Sequence, residues 1–356
     1  MELNKRTLMA TLIAILTLNV GLVQNAQACS RVLHVSDNGK HVVTGRNMDW
    51  YEDLESNIWL FPRGMKKDGA AGKSSKSVKW TSKYGSVITA GFDGATSDGL
   101  NEKGLMVNLL YLAEADFGKP DKTRPAISWA AYAQYLLDNY ATVAEAVAGE
   151  RGDHLQIVSS PIPGSAEKPP TLHFSLSDQT GDSAVFEHLK GKLVIHHGKQ
   201  YNVMTNSPTY DQQIALNAYW ESIGGKIMLP GTIRAADRFV RASYYEKQLP
   251  DPKTDRQAMA NVMSVMRNAS APFGKTDPDR PNIAPTIWRT AADHINKIYY
   301  FESTLSPSIV WVKLDKLNFK QGAPVKRLKL VDNYNLSGDV SNEFKERKAF
   351  KFFGPR

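Results

Sequence analysis

The chain contains a single cysteine, Cys29, and its position suggests a chemical role. It directly follows Ala26-Gln27-Ala28, a small-x-small sequence typical of signal peptidase cleavage sites. Stabilising cysteines of exported proteins occur in pairs, so a disulfide does not explain this thiol. Cleavage would make Cys29 the first residue. Its thiol could then act as a nucleophile and its α-amino group, of ordinary pKa about 7.7 to 8.0, as the base.

Residues 1–28 have the features of a secretory signal peptide. Lys5 and Arg6 form a positively charged N-terminal region, and residues 8–18 form an apolar run that is too short to span a bilayer comfortably. We therefore expect cleavage, secretion across the inner membrane to the periplasm, and no stable membrane insertion afterwards. Cleavage would change the net charge from +8 to +7, because it removes two of the 44 basic and one of the 36 acidic residues.

Two charged side chains are expected beside Cys29. Asp37-Asn38-Gly39 lies between two strand-like runs, and Asn-Gly is a strong signal for a tight hairpin. If residue 35 faces residue 41, antiparallel pairing continues through 31 and 45 to 29 and 47, close to Arg46 and Asp49. Arg46 would favour the thiolate, and Asp49 would accept hydrogen bonds from the α-amine and orient it.

Other interpretations of these residues are open at this point. Cys29 could be an inert buried thiol, or the lipid-bearing residue of a non-catalytic lipoprotein or binding module. Residues 26–28 lack the leucine and small-residue pattern expected of a lipoprotein. Arg46 and Asp49 could form an ordinary surface ion pair, which contributes little to stability.

Strand and helix signals occur in bursts along the chain. β-Branched and aromatic runs predict strands at residues 31–35, 41–45, 86–92, 105–112, 155–159, 171–176, 193–197, 286–292, 297–302 and 309–312. Apolar residues at spacings of three and four predict helices at residues 127–140, 142–148, 210–222, 233–247 and 256–267. This order favours an α+β fold over a doubly wound parallel sheet. We expect a single domain over residues 29–356 that ends in a C-terminal tail.

The composition is that of a globular protein, with 42% hydrophobic and 22% charged residues. Lys and Arg are scattered rather than gathered in a stripe, so nucleic acid is not an expected partner. The sequence has no His-Glu-x-x-His motif or cysteine pair, and the adjacent His196 and His197 would point to opposite faces of a strand. Residues 344–356 alternate aromatic and basic side chains, which could dock on a membrane or a second subunit, or pack on their own domain.

Several short motifs follow one another over about two hundred residues. They are Cys29, Gly45-Arg46-Asn47-Met48-Asp49-Trp50, Asp98-Gly99-Leu100-Asn101-Glu102-Lys103-Gly104-Leu105, Thr205-Asn206-Ser207-Pro208, Leu229-Pro230-Gly231 and Arg238-Phe239-Val240. In this order they resemble the choloylglycine hydrolase family of N-terminal-nucleophile hydrolases, which includes penicillin V acylases and bile salt hydrolases. The resemblance implies a four-layer αββα sandwich, a small-molecule acyl-amide substrate, and no metal or organic cofactor.

The resemblance also implies roles for individual residues. Cys29 would be the nucleophile, with Arg46 and Asp49 as its immediate partners. Asn206 matches the asparagine that helps form the oxyanion hole, where its side-chain N–H stabilises the developing charge. Arg238 matches an active-site arginine, and an exposed helix arginine is the alternative.

Tyr111 and Trp50 bear on the choice of substrate. Tyr111 stands where penicillin V acylases usually carry tyrosine and bile salt hydrolases usually carry asparagine. Trp50 is a candidate for the acyl pocket, with a core tryptophan as the alternative. The predicted activity is penicillin V acylase and/or N-acyl homoserine lactone acylase, with conjugated bile salt hydrolysis as the alternative. A homotetramer is also implied, although the stretch from Asn206 to Arg238 is shorter than in many members, where an extension helps to assemble the tetramer.

Overall fold

The computed structural model describes residues 29–73, 76–162, 169–225, 227–274 and 284–355. The predicted signal peptide, residues 1–28, lies outside the described residues. Within the described ranges, no helix is both long and apolar enough to cross a membrane.

Among the described residues, strands account for more of the chain than helices do. Strands β1 to β10 span Cys29–Val35, Val42–Asp49, Asn57–Phe61, Lys66–Asp68, Lys76–Ser77, Lys79–Thr81, Ser86–Gly91, Ala95–Asn101, Met106–Tyr111 and Pro125–Ser128. Strands β11 to β21 span Gln156–Val158, Leu172–Ser177, Ser183–Leu189, Lys192–His197, Val203–Met204, Thr286–Asp293, Ile298–Ser303, Ile309–Lys313, Lys326–Leu328, Gly338–Asp339 and Lys345–Glu346. Helices α1 to α5 span Trp129–Asn139, Val143–Glu150, Tyr210–Ile223, Ala235–Lys247 and Asp255–Asn268.

Two large sheets form the centre of the molecule. One has the strand order β15-β1-β2-β16-β17-β18-β20, and the other has the order β14-β13-β12-β9-β8-β7-β3-β19-β21. Helices α4 and α5 pack on β1 of the first sheet, and α1 packs on β8 and β9 of the second. The chain is therefore a four-layer αββα sandwich, and the predicted fold class is confirmed.

Successive side chains of a strand point to opposite faces of the sheet and pack in two different hydrophobic cores. In β3, Ile58 and Leu60 belong to the core that contains Cys29, whereas Trp59 and Phe61 belong to the core beneath α1. A strand such as β3 is thus buried on both faces. The nucleophile candidate lies in the first of these cores, where water is largely excluded.

The hairpin of β1 and β2 forms, but the predicted register is wrong by one residue. Cys29 pairs with Met48 rather than with residue 47. Ser36 N–H donates to His41 O (2.9 Å), which leaves an even number of residues in the turn. Successive side chains of a strand point to opposite faces, so the shift moves Arg46 to the same face as Cys29.

Most of the predicted helices and strands are confirmed, and most of their ends differ by no more than two residues, but β2 ends at Asp49, four residues beyond its predicted end. One start is wrong, because residues 127 and 128 belong to β10 and α1 begins at Trp129. The Ser128 hydroxyl accepts a hydrogen bond from Ala130 N (3.2 Å) and so caps the helix, which begins two residues later than predicted. Strand β8, Ala95–Asn101, was not predicted because it has one β-branched residue and is held by its neighbours on both sides.

The C-terminal tail packs on the domain. The Phe350 ring lies 5.1 Å from the Trp59 ring and 5.5 Å from the Phe61 ring, measured between centroids. Phe353 N–H donates to Gly94 O (2.9 Å). Of the interpretations that the sequence left open for these aromatics, the structure shows packing against their own chain.

Candidate active site

The Cys29 thiol is buried at the start of β1, with 2% of the residue exposed. Its sulfur lies 3.8 Å from Nη2 of Arg46 and 3.8 Å from the sulfur of Met48. Burial raises the pKa of the thiol, although the positive charge of Arg46 opposes this. The thiol therefore needs a base before it can act as a nucleophile at neutral pH.

Arg46 is fully buried and is held from two sides. Its Nη2 donates to Leu109 O (2.8 Å), and its guanidinium lies 4.5 Å from the centre of the Trp288 ring. Its Nε and Nη1 have no hydrogen-bond partner among the described residues. This burial rules out the surface ion pair that the sequence allowed.

Asn206 and Arg238 surround the backbone of Cys29. The Cys29 N–H donates to Asn206 Oδ1, which also accepts from Arg238 Nη2 (3.0 Å). Asn206 Nδ2 donates to Tyr111 O (2.6 Å), so donors on one side and a carbonyl on the other fix the orientation of this amide. Arg238 Nη1 donates to Cys29 O (2.6 Å), and because Arg238 is fully buried, the alternative of an exposed helix arginine is wrong.

Asp49 is a fully buried carboxyl with one oxygen unused. Oδ1 accepts a hydrogen bond from Thr286 (2.5 Å). Oδ2 lies 3.7 Å from Arg238 Nη1 and has no hydrogen-bond partner among the described residues. Burial raises the pKa of Asp49 to about 6, although Arg238 and Thr286 oppose the rise. The carboxylate can therefore accept a further hydrogen bond from a donor such as an amine.

An apolar pocket opens onto these groups. Cys29 and Arg46 line it together with both predicted substrate residues, Trp50 and Tyr111. The other lining residues are Met48, Leu54, Gly91, Phe92, Ser97, Leu109, Trp129, Ile162, Pro170 and Leu172. The structure thus brings all seven predicted site residues to one place. Among the described residues, no group of three or more His, Cys, Asp or Glu side chains could hold a metal ion.

Asp98 is a buried carboxyl near Arg46 to which the sequence analysis gave no role. It accepts hydrogen bonds from Tyr299 (2.6 Å), Asn108 (2.6 Å) and Thr290 (3.0 Å). Burial raises the pKa of Asp98, and the charge of Arg46 opposes the rise. The sequence carried a signal for a role of Asp98, because this residue begins the motif that ends at Leu105.

Comparison with known proteins shows the family of this chain. A family model described as linear amide C–N hydrolases, choloylglycine hydrolase family, matches residues 29–327. The chain therefore belongs to the choloylglycine hydrolase family, and it is a linear amide hydrolase. The matched range includes every residue that the sequence analysis placed in the site.

Two penicillin V acylases are close relatives. The penicillin V acylase of Pectobacterium atrosepticum is 46% identical over 98% of this chain and 98% of its own. The solved structure of penicillin V acylase from Agrobacterium tumefaciens is 49% identical, covers 92% of this chain and 100% of that chain, and has a TM-score of 0.84. The bile salt hydrolase/transferase of Clostridium perfringens is less similar, at 27% identity over 85% of this chain and 96% of its own.

Proposed function

We propose that this chain is an exported penicillin V acylase in which Cys29, made N-terminal by signal peptide cleavage, is the nucleophile. The observation that carries the proposal is the meeting of the Cys29 thiol and nitrogen with Asn206, Asp49 and Arg238 at an apolar pocket. The similarity to two penicillin V acylases supports the choice of substrate.

The α-amine of Cys29 is the base in the first step of the proposed mechanism. Burial raises the pKa of the thiol, so the proton has to pass to a group beside it. In the full-length chain the Cys29 nitrogen donates to Asn206 Oδ1. After cleavage the amine can keep this contact and donate a second hydrogen bond to the unpartnered Oδ2 of Asp49.

The thiolate then attacks the amide carbonyl, a C–S bond forms, and the carbonyl oxygen becomes an anion. One of the two N–H groups on Asn206 Nδ2 donates a hydrogen bond to Tyr111 O, and the other can donate to the oxyanion and stabilise it. The C–N bond breaks, and the ammonium group of Cys29 returns its proton to the leaving amine. Water, deprotonated by the same amine, hydrolyses the thioester and restores the thiol.

The acyl group occupies the apolar pocket between Trp50 and Tyr111 in this proposal. An apolar lining suits the phenoxyacetyl group of penicillin V, and it also suits the long acyl chain of an N-acyl homoserine lactone, which is the second candidate. Conjugated bile salts are the alternative that the more distant relative suggests.

The activity test compares mature wild type with Cys29→Ala and Cys29→Ser on penicillin V, a long-chain N-acyl homoserine lactone and a conjugated bile salt. Release of free amine is the readout. We expect wild type to hydrolyse penicillin V and both variants to lose activity on every substrate. Equal rates for wild type and Cys29→Ala would refute the assignment of Cys29 as the nucleophile. A strong preference for the bile salt would refute penicillin V as the substrate.

Export is tested by cell fractionation and by the intact mass of the purified protein. We expect a periplasmic protein whose first residue is Cys29, with a free thiol and a free amine. A lipid on Cys29 would leave no usable amine. An intact mass that includes a lipid would therefore rule out the mechanism.

We also propose that the protein assembles as a homotetramer. Apolar side chains are exposed at α3 and just after it, where Tyr219 is 63%, Ile227 is 88% and Met228 is 59% exposed. Such a patch is typical of an association surface. Sedimentation of wild type and of Ile227→Ser tests this: a tetramer that the substitution weakens supports it, and a wild-type monomer refutes it.

A further inference from the structure

The backbone around Asn206 is held by two buried side chains. His173, in β12, places Nε2 2.9 Å from the carbonyl oxygen of Thr205. Gln213, in α3, donates to the carbonyl oxygens of Asn206 and Pro208, the latter at 2.7 Å. The carbonyls before and after the Asn206 side chain are therefore both fixed.

Both ring nitrogens of His173 face buried oxygen atoms. Thr205 O can only accept, so Nε2 must be a donor. Nδ1 lies 3.2 Å from Oε1 of Glu187, and an ionised carboxylate also only accepts. The side chains of His173 and Glu187 are 0% and 1% exposed, so water is not a competing partner.

The surroundings of Glu187 keep it ionised. Burial raises its pKa, but hydrogen bonds from His173 and the N–H of Tyr210, with His196 3.7 Å away, outweigh this and hold the pKa at about 2. Tyr210 is the first residue of α3, so the helix N-terminus also favours the negative charge. His196 lies between this carboxylate and the exposed Asp211, with Nε2 3.7 Å from Glu187 and Nδ1 3.7 Å from Asp211.

His294 shows a different arrangement for a buried histidine in the same protein. Its Nδ1 must donate to Gly104 O (2.7 Å), but its Nε2 faces the Thr44 hydroxyl (2.8 Å), which can itself donate. One proton satisfies both contacts, and burial lowers the pKa of His294 to about 4. His173 differs because both of its partners are acceptors.

We propose that His173 is a positioning residue, and that its contacts with Glu187 and Thr205 O hold the Thr205–Asn206 peptide so that Asn206 is aligned for the oxyanion. This inference rests on the proposed function, in which Asn206 Nδ2 binds that oxygen. His173 touches neither the substrate nor the thiol in this arrangement. Its loss should therefore lower kcat and leave KM nearly unchanged, because the apolar pocket still binds the acyl group.

The kinetic test uses two variants and a matched control. In His173→Leu/Glu187→Gln the pair is removed without leaving a buried charge, and Gln can still accept from Tyr210 N–H. In His173→Gln the amide can still donate to Thr205 O. The control is His188→Gln, since His188 is buried next to Glu187 but packs on the Phe117 ring at 5.4 Å.

We expect kcat of the double variant to fall roughly 10- to 100-fold at similar KM, as for other residues that orient a catalytic group. His173→Gln should recover much of that loss, and His188→Gln should keep the wild-type kcat. Circular dichroism and thermal unfolding show which variants fold. A folded double variant with the wild-type kcat would overturn the positioning role.

Ring ¹⁵N chemical shifts of the mature wild type test the contact between His173 and Thr205 without using activity, with the His173 signals assigned from His173→Gln. Nε2 of His173 should carry a proton, because Thr205 O can only accept a hydrogen bond. An unprotonated Nε2 would overturn the proposal even if the variants lose activity or fail to fold. If Nε2 is protonated but Cys29→Ala keeps full activity, the proposed function is wrong and the contact stands.

Discussion

Replacing Asp49 by asparagine should stabilise the folded protein while it abolishes hydrolysis. Asp49 is fully buried, and burial raises its pKa from the usual 3.8 to about 6. One pH unit corresponds to about 1.4 kcal/mol, so the ionised carboxylate costs about 3 kcal/mol relative to the unfolded chain at neutral pH. Asp49→Asn should recover up to about that amount, because its amide oxygen can still accept from Thr286.

The sign of the pH dependence follows from the raised pKa. Below the ordinary value of 3.8, the Asp49 carboxyl is protonated in both states, and the substitution changes the stability little. As the pH rises towards about 6, the unfolded chain ionises first and the wild type loses stability that the variant keeps. The difference in the free energy of unfolding should grow through this window and then stay constant.

Cleavage before Cys29 should reduce the gain in stability that Asp49→Asn produces. In the full-length chain the Cys29 nitrogen is a neutral amide, whereas the mature protein would have an amino group whose ammonium form attracts the Asp49 carboxylate. We expect a smaller gain from Asp49→Asn in the mature protein than in a form with Gly-Ser in front of Cys29. The change in the gain measures the coupling between the amine and the carboxylate.

Urea unfolding at a series of pH values, followed by tryptophan fluorescence, gives each free energy. Asp98→Asn is the matched control: Asp98 is also buried but accepts three hydrogen bonds, so an amide there leaves donors unpaired and should be destabilising. If Asp49→Asn destabilised the protein at neutral pH, or if its effect did not change with pH, the reasoning about Asp49 would be wrong.

Three further substitutions test the site and its support. Arg46→Lys should lower kcat/KM, and Arg31→Lys, a buried control on the neighbouring strand, should affect only thermal stability. Asn206→Ala should lower kcat by about 10²- to 10³-fold in steady-state assays, and a loss below tenfold would count against the oxyanion role. Gly45→Ala should cost roughly 1 to 3 kcal/mol in urea unfolding, because its Cβ would lie 2.6 Å from a methionine of α5. Gly231→Ala is the control, because a Cβ at Gly231 would meet open space. Equal stabilities of Gly45→Ala and Gly231→Ala would refute this packing argument.

The sequence alone determined the local features of this protein. Cys29 stood out because it is the only cysteine and follows a cleavage motif, and Asn38-Gly39 specified the hairpin that brings Arg46 near it. Most strands and helices followed from periodicity, because each is stabilised by burying a face that the pattern reveals. The order of the motifs indicated the family, and with it the αββα fold.

The tertiary structure decided what those local features could not. The register of β1 and β2 differs by one residue from the prediction, and that shift determines whether Arg46 faces the thiol, because side chains alternate between faces. Asn206 reaches Cys29 across 177 residues of sequence, a contact that only the packing of complete sheets produces. The same holds for His173 and Glu187, because these two buried polar residues meet only where the complete sheet pairs their strands and excludes water.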